Sequence, residues 1–199
     1  MLFEQMNLNV PKGLTNDQFI LRPIVADDAK LDYAAVMESK EYLRPWEQTG
    51  WPEDDFTVAA NWIDLEGLER RNATGEAFTY TVMNPSETEC LGCVYIVPTD
   101  TAARWFARAT ITPVSKQRWD DYDAAVYFWV RVSRLATETD RALLDVLRLW
   151  LSDVWKFHTY LIVTNEQFTQ QVDMIEHTDL QLRFEIAFSG KPGRYLAYE

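Results

Sequence analysis

The chain has 199 residues, 47% of them hydrophobic, which is enough for one domain with a substantial core. Asp and Glu outnumber Lys and Arg by 31 to 19, so the formal net charge is −12 and binding to nucleic acid is disfavoured. The acidic surplus either serves solubility or attracts a cationic small molecule such as an amine, and the sequence leaves both open.

The N-terminal third predicts an arm, a strand and two helices. Residues 1–17 show no clear period and are predicted to form an arm. Residues 18–23 are apolar and end at a proline, which predicts a first strand. Helices are predicted over residues 29–38 and 57–71, because each follows acidic capping candidates and carries apolar residues at helical spacing.

An aromatic, proline-punctuated passage separates those two helices. It runs from Tyr42 to Pro52 and includes Trp46. Passages rich in rigid aromatic residues line pockets or pack on the core. We predict a loop here, with both uses open.

Two alternating runs then predict an antiparallel hairpin. Residues 76–83 and 90–98 alternate at period two around a turn at Asn84-Pro85-Ser86. The next segment, residues 99–123, is predicted to be an insertion. Its part from Thr101 to Trp119 is basic and aromatic, so it forms a phosphate site, a partner or dimer surface, or an ordinary long loop.

The central stretch predicts a β-α-β unit. Residues 124–133 and 159–164 have strand character, and a helix with apolar residues at helical spacing lies between them, around residues 143–155. Strands joined in this way are parallel with a right-handed crossover. A ligand is expected beyond their carboxyl ends, at residues 133–139 and 164–165.

The remaining sequence predicts one helix and two strands. The helix covers residues 166–177, and the strands cover residues 180–188 and 194–198. The complete predicted order is β-α-α-β-β-β-α-β-α-β-β, which indicates a mixed α/β domain.

The two cysteines, Cys90 and Cys93, form a C-x-x-C pair in a predicted strand, where residues three apart face opposite ways. A zinc site normally has further paired Cys or His ligands, so we predict two small core or edge residues and no metal. Because residues 1–10 lack the pattern of a signal peptide and no apolar run is long enough to span a membrane, a cytoplasmic location without membrane contact is expected.

This order of elements resembles the GNAT acetyltransferase superfamily. Phe19-Ile20-Leu21-Arg22-Pro23, with Asp27-Asp28 after it, is similar to the family's opening strand and helix. Leu91-Gly92-Cys93-Val94-Tyr95 is similar to its glycine-bearing third strand, and residues 127–132 to its fourth. The resemblance covers residues 18–198 and implies a splayed central sheet, with acetyl-CoA entering between the fourth and fifth strands.

The resemblance also implies roles for particular residues. Those placed against acetyl-CoA are Trp129, Val130, Val132, Arg134, Leu135, Ala136, Thr137, Thr139 and Asn165. Those placed around an acceptor amine, from a small molecule or a peptide, are Trp46, Tyr80 and Tyr127. No general base or acid is carried over, because Val172 stands where the family often has its tyrosine.

The phosphate-binding turn departs from the family pattern R/Q-x-x-G-x-G/A. Residues 134–141 read RLATETDR, without glycine, and Glu138 and Asp140 are carboxylates that repel pyrophosphate. Nearby arginines restore attraction by charge instead. The expected function is therefore acetyl transfer from acetyl-CoA to an amine, or alternatively binding or regulation by a GNAT fold that has lost acetyl-CoA.

Overall fold

The computed structural model describes residues 10–199, so the first nine residues of the predicted arm lie outside the described part. The strands are β1 Leu14–Thr15, β2 Ile20–Pro23, β3 Phe78–Met83, β4 Cys90–Pro98, β5 Ala109–Pro113, β6 Ala124–Val130, β7 Tyr160–Asn165, β8 Leu182–Phe188 and β9 Tyr195–Tyr198. The helices are α1 Ala29–Glu38, α2 Lys40–Glu47, α3 Val58–Thr74, α4 Thr99–Trp105, α5 Val132–Leu135, α6 Thr139–Asp153 and α7 Thr169–Glu176.

The strands form one mixed sheet in the order β1-β2-β3-β4-β6-β7-β9-β8-β5. Among the described pairs, β6 and β7 run parallel and the others are antiparallel. Two apolar layers cover the sheet: residues of α1, α2 and α3 pack on one face, and residues of α6 and α7 pack on the other. The predicted mixed α/β architecture with a central β-α-β unit is confirmed.

Three predicted irregular segments contain regular structure. The aromatic passage holds α2, with Pro45 inside its last turn, and the predicted arm contributes β1, which pairs with Ile20 and Leu21. The predicted insertion forms α4 and β5, and β5 pairs with β8 at the edge of the sheet. Local periodicity gives little sign of β1 and β5, because β1 has only two residues and the partner of β5 lies far away in sequence.

A bulge in β4 reverses the expected direction of one cysteine. Gly92 pairs with Val82, but Cys90 pairs with Met83, so Leu91 is an extra residue in β4. Cys90 and Cys93 consequently face the same side of the sheet, and both are buried there. The expectation that they face opposite ways is wrong, because it assumed an uninterrupted period of two.

None of the helices within residues 10–199 combines the length and the apolarity needed to cross a bilayer.

Gly92 makes the bulge possible, and its replacement tests this. It has φ +153°, and a Cβ atom there would lie 2.0 Å from the carbonyl oxygen of Trp129. We expect Gly92→Ala to lower the free energy of unfolding by about 2–4 kcal/mol, through strain and a backbone clash. Gly67→Ala is the matched control: Gly67 lies in α3, and a Cβ atom added there would have no neighbouring atom within 4 Å, so about 0.5–1 kcal/mol of stabilisation is expected. Urea unfolding of both variants measures the difference, and equal effects would contradict the assigned role of Gly92.

Candidate functional site

Strands β6 and β7 part after three residue pairs, which leaves one edge of β6 without a strand partner. Ala124–Val126 pair with Tyr160–Ile162, whereas residues 127–130 pair with β4 alone. The backbone groups of these residues that point away from β4 face the gap between the two strands. Buried backbone donors and acceptors require hydrogen-bond partners, so whatever fills this gap must supply partners for the free edge of β6.

Side chains of the protein itself occupy the gap. The Nε2 atom of Gln171 donates to the carbonyl oxygen of Phe128 at 3.0 Å, and the backbone of Val130 hydrogen-bonds the Tyr42 hydroxyl. The ring of Tyr42 lies against Phe168, with centroids 3.5 Å apart, and burial raises the pKa of the Tyr42 hydroxyl. The two strands therefore separate, but side chains of the protein fill the space between them.

The turn after β6 is held by the end of α1. The amide of Val132 donates to Ser39 Oγ at 3.0 Å, and the amide of Ser133 donates to the Glu38 carboxylate at 3.1 Å. The guanidinium of Arg131 also donates to Glu38, and chiefly this bond lowers the pKa of Glu38 to about 2. A carboxylate thus lies where backbone amides and an arginine converge, an arrangement that proteins use to bind phosphate.

The arginines of this turn are paired with carboxylates. Arg131 contacts Glu89 at 2.9 Å in addition to Glu38, and Arg134 pairs with Glu89 as well. Arg131 also donates to the carbonyl oxygen of Cys90 at 3.2 Å. An anionic ligand that sought these guanidinium groups would have to compete with carboxylates already in place.

The start of α6 keeps a backbone conformation suited to glycine. Glu138 has φ +54°, in the left-handed region, and its side chain makes no capping hydrogen bond to the helix. The carboxylate of Asp140 accepts from the Arg141 amide at 3.0 Å and from Gln170 Nε2 at 3.1 Å, and burial raises the pKa of Asp140. Carboxylates therefore surround the turn that opens the helix.

A cavity of about 750 Å³ lies on the face of the sheet covered by α2, α3 and α4. It reaches β6 at Tyr127, the first residue beyond the three pairs with β7. Its wall is rich in aromatic rings, which include Trp46, Trp51, Trp105, Phe106, Tyr127 and Tyr195. Rigid rings around a space of this size are typical of a pocket for a small organic molecule.

Three residues of the cavity wall each carry a fully buried polar atom that has no hydrogen-bond partner within residues 10–199. These atoms are the indole Nε1 of Trp46, the amide oxygen of Gln48 and the hydroxyl of Tyr127. Burial holds the pKa of Tyr127 well above its usual value, so the hydroxyl stays protonated. A buried polar group without a partner costs about 1–3 kcal/mol, and a ligand with matching donors and acceptors removes that cost.

Two carboxylates, Glu47 and Asp64, line the same cavity. Glu47 and Asp64 are both open to solvent, but desolvation by the cavity wall raises the pKa of each carboxyl. In the described part of the chain, Glu47 has no cation within ion-pair distance. A carboxylate among aromatic faces favours an ammonium group, through charge and cation–π attraction.

The arrangement of strands is shared with acetyltransferases of known structure. A ribosomal-protein-S5-alanine acetyltransferase from Vibrio fischeri superposes with a TM-score of 0.66 at 15% identity, over 94% of each chain. An apo ribosomal L7/L12 α-N-protein acetyltransferase gives 0.66 at 14% identity, over 96% of this chain and 98% of that one. A microcin C7 self-immunity acetyltransferase in complex with acetyl-CoA and AMP gives 0.62 at 14% identity, over 95% and 96%.

The chain has the GNAT acetyltransferase fold. Identities of this size establish the fold and leave the reaction open. No protein-family model matches the sequence, and no curated protein matches it either.

The residues that the GNAT resemblance places against acetyl-CoA lie along the splayed edge, the turn and the end of β7. In this structure the amide of Thr137 donates to the Arg134 carbonyl at 3.2 Å, and the Thr137 and Thr139 hydroxyls contact each other. The side chain of Trp129 points away from the gap and donates to the Tyr95 hydroxyl at 3.2 Å. Leu135 is half-buried and Ala136 is exposed, whereas Asn165 is fully buried at the end of β7.

The predicted acceptor residues divide between the two faces of the sheet. Trp46 and Tyr127 line the cavity, as a pocket requires. Tyr80 does not: it packs against Trp150 on the opposite face, and its hydroxyl donates to the Pro11 carbonyl at 2.7 Å. Tyr80 lies in β3 and Tyr127 in β6, and the faces they occupy depend on the register of strand pairing, which the sequence leaves undefined.

The other motifs singled out in the sequence serve local structure. Asp123 accepts from the amides of His158 and Thr159, at 2.7 and 3.3 Å, and so joins the acidic turn to the start of β7. In the basic segment, Trp105 lies in the cavity wall beneath the guanidinium of Arg71, at 5.7 Å. The uses predicted for that segment were a phosphate site, a partner or dimer surface, or a long loop, and lining of a cavity was not among them.

The low pKa of Glu38 makes its contribution to stability depend on pH. The contribution is complete above the unfolded value of 4.5 and is lost as the pH falls towards the folded value of about 2. We expect Glu38→Gln to lower the free energy of unfolding by about 1–2 kcal/mol at pH 7, with the difference from wild type shrinking between pH 4.5 and 2. Urea unfolding across that range measures this difference.

Ser39→Ala removes a non-titrating partner of the same turn, so its effect on the free energy of unfolding should not change with pH. If the effects of both variants show the same dependence on pH, the ionised pairing of Glu38 is refuted.

Proposed function

We propose that this protein is a GNAT-fold binding module for a small amine, held in the aromatic cavity, with no acyl donor at the splayed strands. One observation carries the proposal: the Phe128 carbonyl, the backbone of Val130 and the amides of Val132 and Ser133 already have partners in the chain itself. Those partners are the side chains of Gln171, Tyr42, Ser39 and Glu38.

Entry of a pantetheine arm into the gap would exchange existing hydrogen bonds for similar new ones. Hydrogen bonding would therefore yield little net gain in binding free energy. The arm would also displace the packed rings of Tyr42 and Phe168, which loses buried apolar contact. The pyrophosphate would meet Glu38, Glu89 and Asp140 around arginines that are already paired.

The cavity determines the kind of ligand. Glu47 supplies an unpaired negative charge, and the aromatic rings supply faces that attract cations. The unpartnered Trp46 and Tyr127 groups are donors for a carbonyl or hydroxyl on the ligand, and the Gln48 oxygen is an acceptor for an N–H. A primary or secondary amine with an aromatic ring and a second polar group satisfies all of these.

Acetyl transfer to that amine is the second candidate, and one observation favours it. The cavity ends on β6 at Tyr127, whose hydroxyl is protonated, buried and unpartnered, next to the strand edge along which the GNAT resemblance places acetyl-CoA. Glu47, with its raised pKa, lies in the same cavity and has the chemistry of a general base. This function requires the gap to open.

Acetyl-CoA binding separates the two candidates. We expect isothermal calorimetry to detect no binding of acetyl-CoA to the wild-type chain, and we expect Glu38→Ala to bind measurably because it frees the Ser133 amide and part of Arg131. Glu166→Ala is the matched control, since it removes the same charge from a carboxylate that pairs with Arg194 elsewhere. Binding of acetyl-CoA by the wild type, together with an acetylated amine in mass spectrometry, would contradict the binding-module proposal and support acetyl transfer.

Amine binding tests the cavity itself. We expect a panel of aromatic amines to raise the melting temperature of the wild type, and Glu47→Gln to weaken the best binder about tenfold or more, because its ammonium group loses its counter-charge. The neutral alcohol analogue of that binder should bind both forms alike. Asp173→Asn, which removes a charge on the exposed side of α7, serves as the control variant. If Glu47→Gln binds the amine with unchanged affinity, Glu47 does not contribute to ligand binding.

A further inference from the structure

A cluster of three ligand-type side chains lies beneath the bulge of β4, separate from the cavity. The Sγ atoms of Cys90 and Cys93 and a carboxylate oxygen of Asp32 all lie within 4.8 Å of one another. All three residues are almost fully buried, with exposed fractions of 0%, 1% and 3%. The bulge creates the cluster, because it turns both thiols towards α1, where Asp32 stands.

The present contacts of the cluster are weak. Cys93 Sγ lies 3.4 Å and Cys90 Sγ 3.8 Å from the same Oδ1 atom of Asp32. Thiols are poor hydrogen-bond donors, so they compensate little of the cost of burying a carboxylate. Two thiols and a carboxylate are, however, good ligands for soft and borderline divalent metals once the thiols lose their protons.

Asn61 adds an independent observation. Its Nδ2 atom donates to Asp32 at 2.9 Å and to the Ala29 carbonyl at 3.0 Å, which fixes the amide beside the cluster. Its Oδ1 atom has no partner among residues 10–199, although only 1% of Asn61 is exposed. A buried amide oxygen with no donor in reach is unusual, and a cation in the cluster would supply what it lacks.

We propose that Cys90, Cys93, Asp32 and Asn61 bind one thiophilic divalent metal ion, with zinc as the reference ion. The ligands are two thiolate sulfurs, one carboxylate oxygen and the amide oxygen of Asn61. On binding, the two thiols release two protons and one dication takes their place. With Asp32 ionised, the net charge of the buried cluster is the same before and after, so the ion adds no uncompensated charge to the core.

The geometry is close to what zinc requires. Zinc–sulfur bonds of about 2.3 Å in a tetrahedral site place the two sulfurs about 3.8 Å apart. The two sulfurs and the Asp32 oxygen lie within 4.8 Å of one another, so a contraction of about 1 Å brings these three donors to bonding distance, and Asn61 is the proposed fourth ligand. The ion would join α1, α3 and β4 in a closed, structural site that stabilises the bulge and leaves no open coordination position for substrate.

Metal content and cobalt substitution test the proposal on the full-length chain. We expect about one zinc ion per chain, by mass spectrometry of protein from zinc-supplemented cells. Titration of chelator-treated protein with Co²⁺ should give visible bands of tetrahedral cobalt and an ultraviolet thiolate-to-cobalt band. Zinc at about a hundred times its dissociation constant should raise the melting temperature by about 5–10 °C, and Mg²⁺ should not.

Variants locate the ion. Cys93→Ser and Asp32→Asn should each lower zinc content at least tenfold, whereas Asp28→Asn should retain it. Asp28 is the matched control because it is a buried carboxylate near α1 that pairs with Arg22 and lies outside the cluster. If a cluster variant does not fold, the wild-type cobalt spectrum decides, since its ultraviolet band requires thiolate ligands. A wild type without zinc and without cobalt bands, full zinc retention in Cys93→Ser, or a Cys90–Cys93 disulfide found by thiol titration would overturn the proposal.

Discussion

The parting of β6 and β7 is the constraint on which this structure depends. Two parallel strands that pair at three positions and then diverge leave a row of backbone groups without the partners a sheet normally provides. Some other group must satisfy them, because the region lies in the core of the molecule. In this chain the groups come from three separate helices and the loops beside them, so closing the edge also ties α1, α2 and α7 to the centre of the sheet.

That solution explains why the two sides of the gap differ. On the side of the turn, carboxylates and arginines neutralise one another, and ligand binding there requires the loss of existing ion pairs. On the other side, the aromatic cavity holds polar atoms that the protein itself leaves without partners. The fold is shared with acetyltransferases, and in the described part of the chain buried polar atoms without partners occur both among the cavity residues and beside the gap, at Arg131 Nε, Arg134 Nε and Asn165 Nδ2.

Much of the architecture follows from local sequence. The helix over residues 29–38, the hairpin strands and the β-α-β unit were predictable, because each carries a clear period and ends at capping or turn residues. The short strands β1 and β5 were not: β1 is only two residues long, and the partner of β5 is distant in sequence. The site shows the same division. Trp46 and Tyr127, which the resemblance places around an acceptor amine, line the cavity, and their role there stays a prediction. The contacts of Glu38, Ser39 and Tyr42 gave no signal, because they arise only when α1 and α2 pack against the end of β6. The side shared by the two cysteines depended on one extra residue in β4, which no periodicity reveals.

The left-handed backbone at Glu138 bears on how the protein can change. A residue with a side chain held at positive φ gives up about 1–2 kcal/mol relative to glycine, so the turn retains a shape for which its present residue is poorly suited. Replacement by glycine at that position needs no rearrangement of the main chain. A change at this one position can therefore be screened without refolding the turn, which makes Glu138 a natural first site for directed evolution of the loop that opens α6.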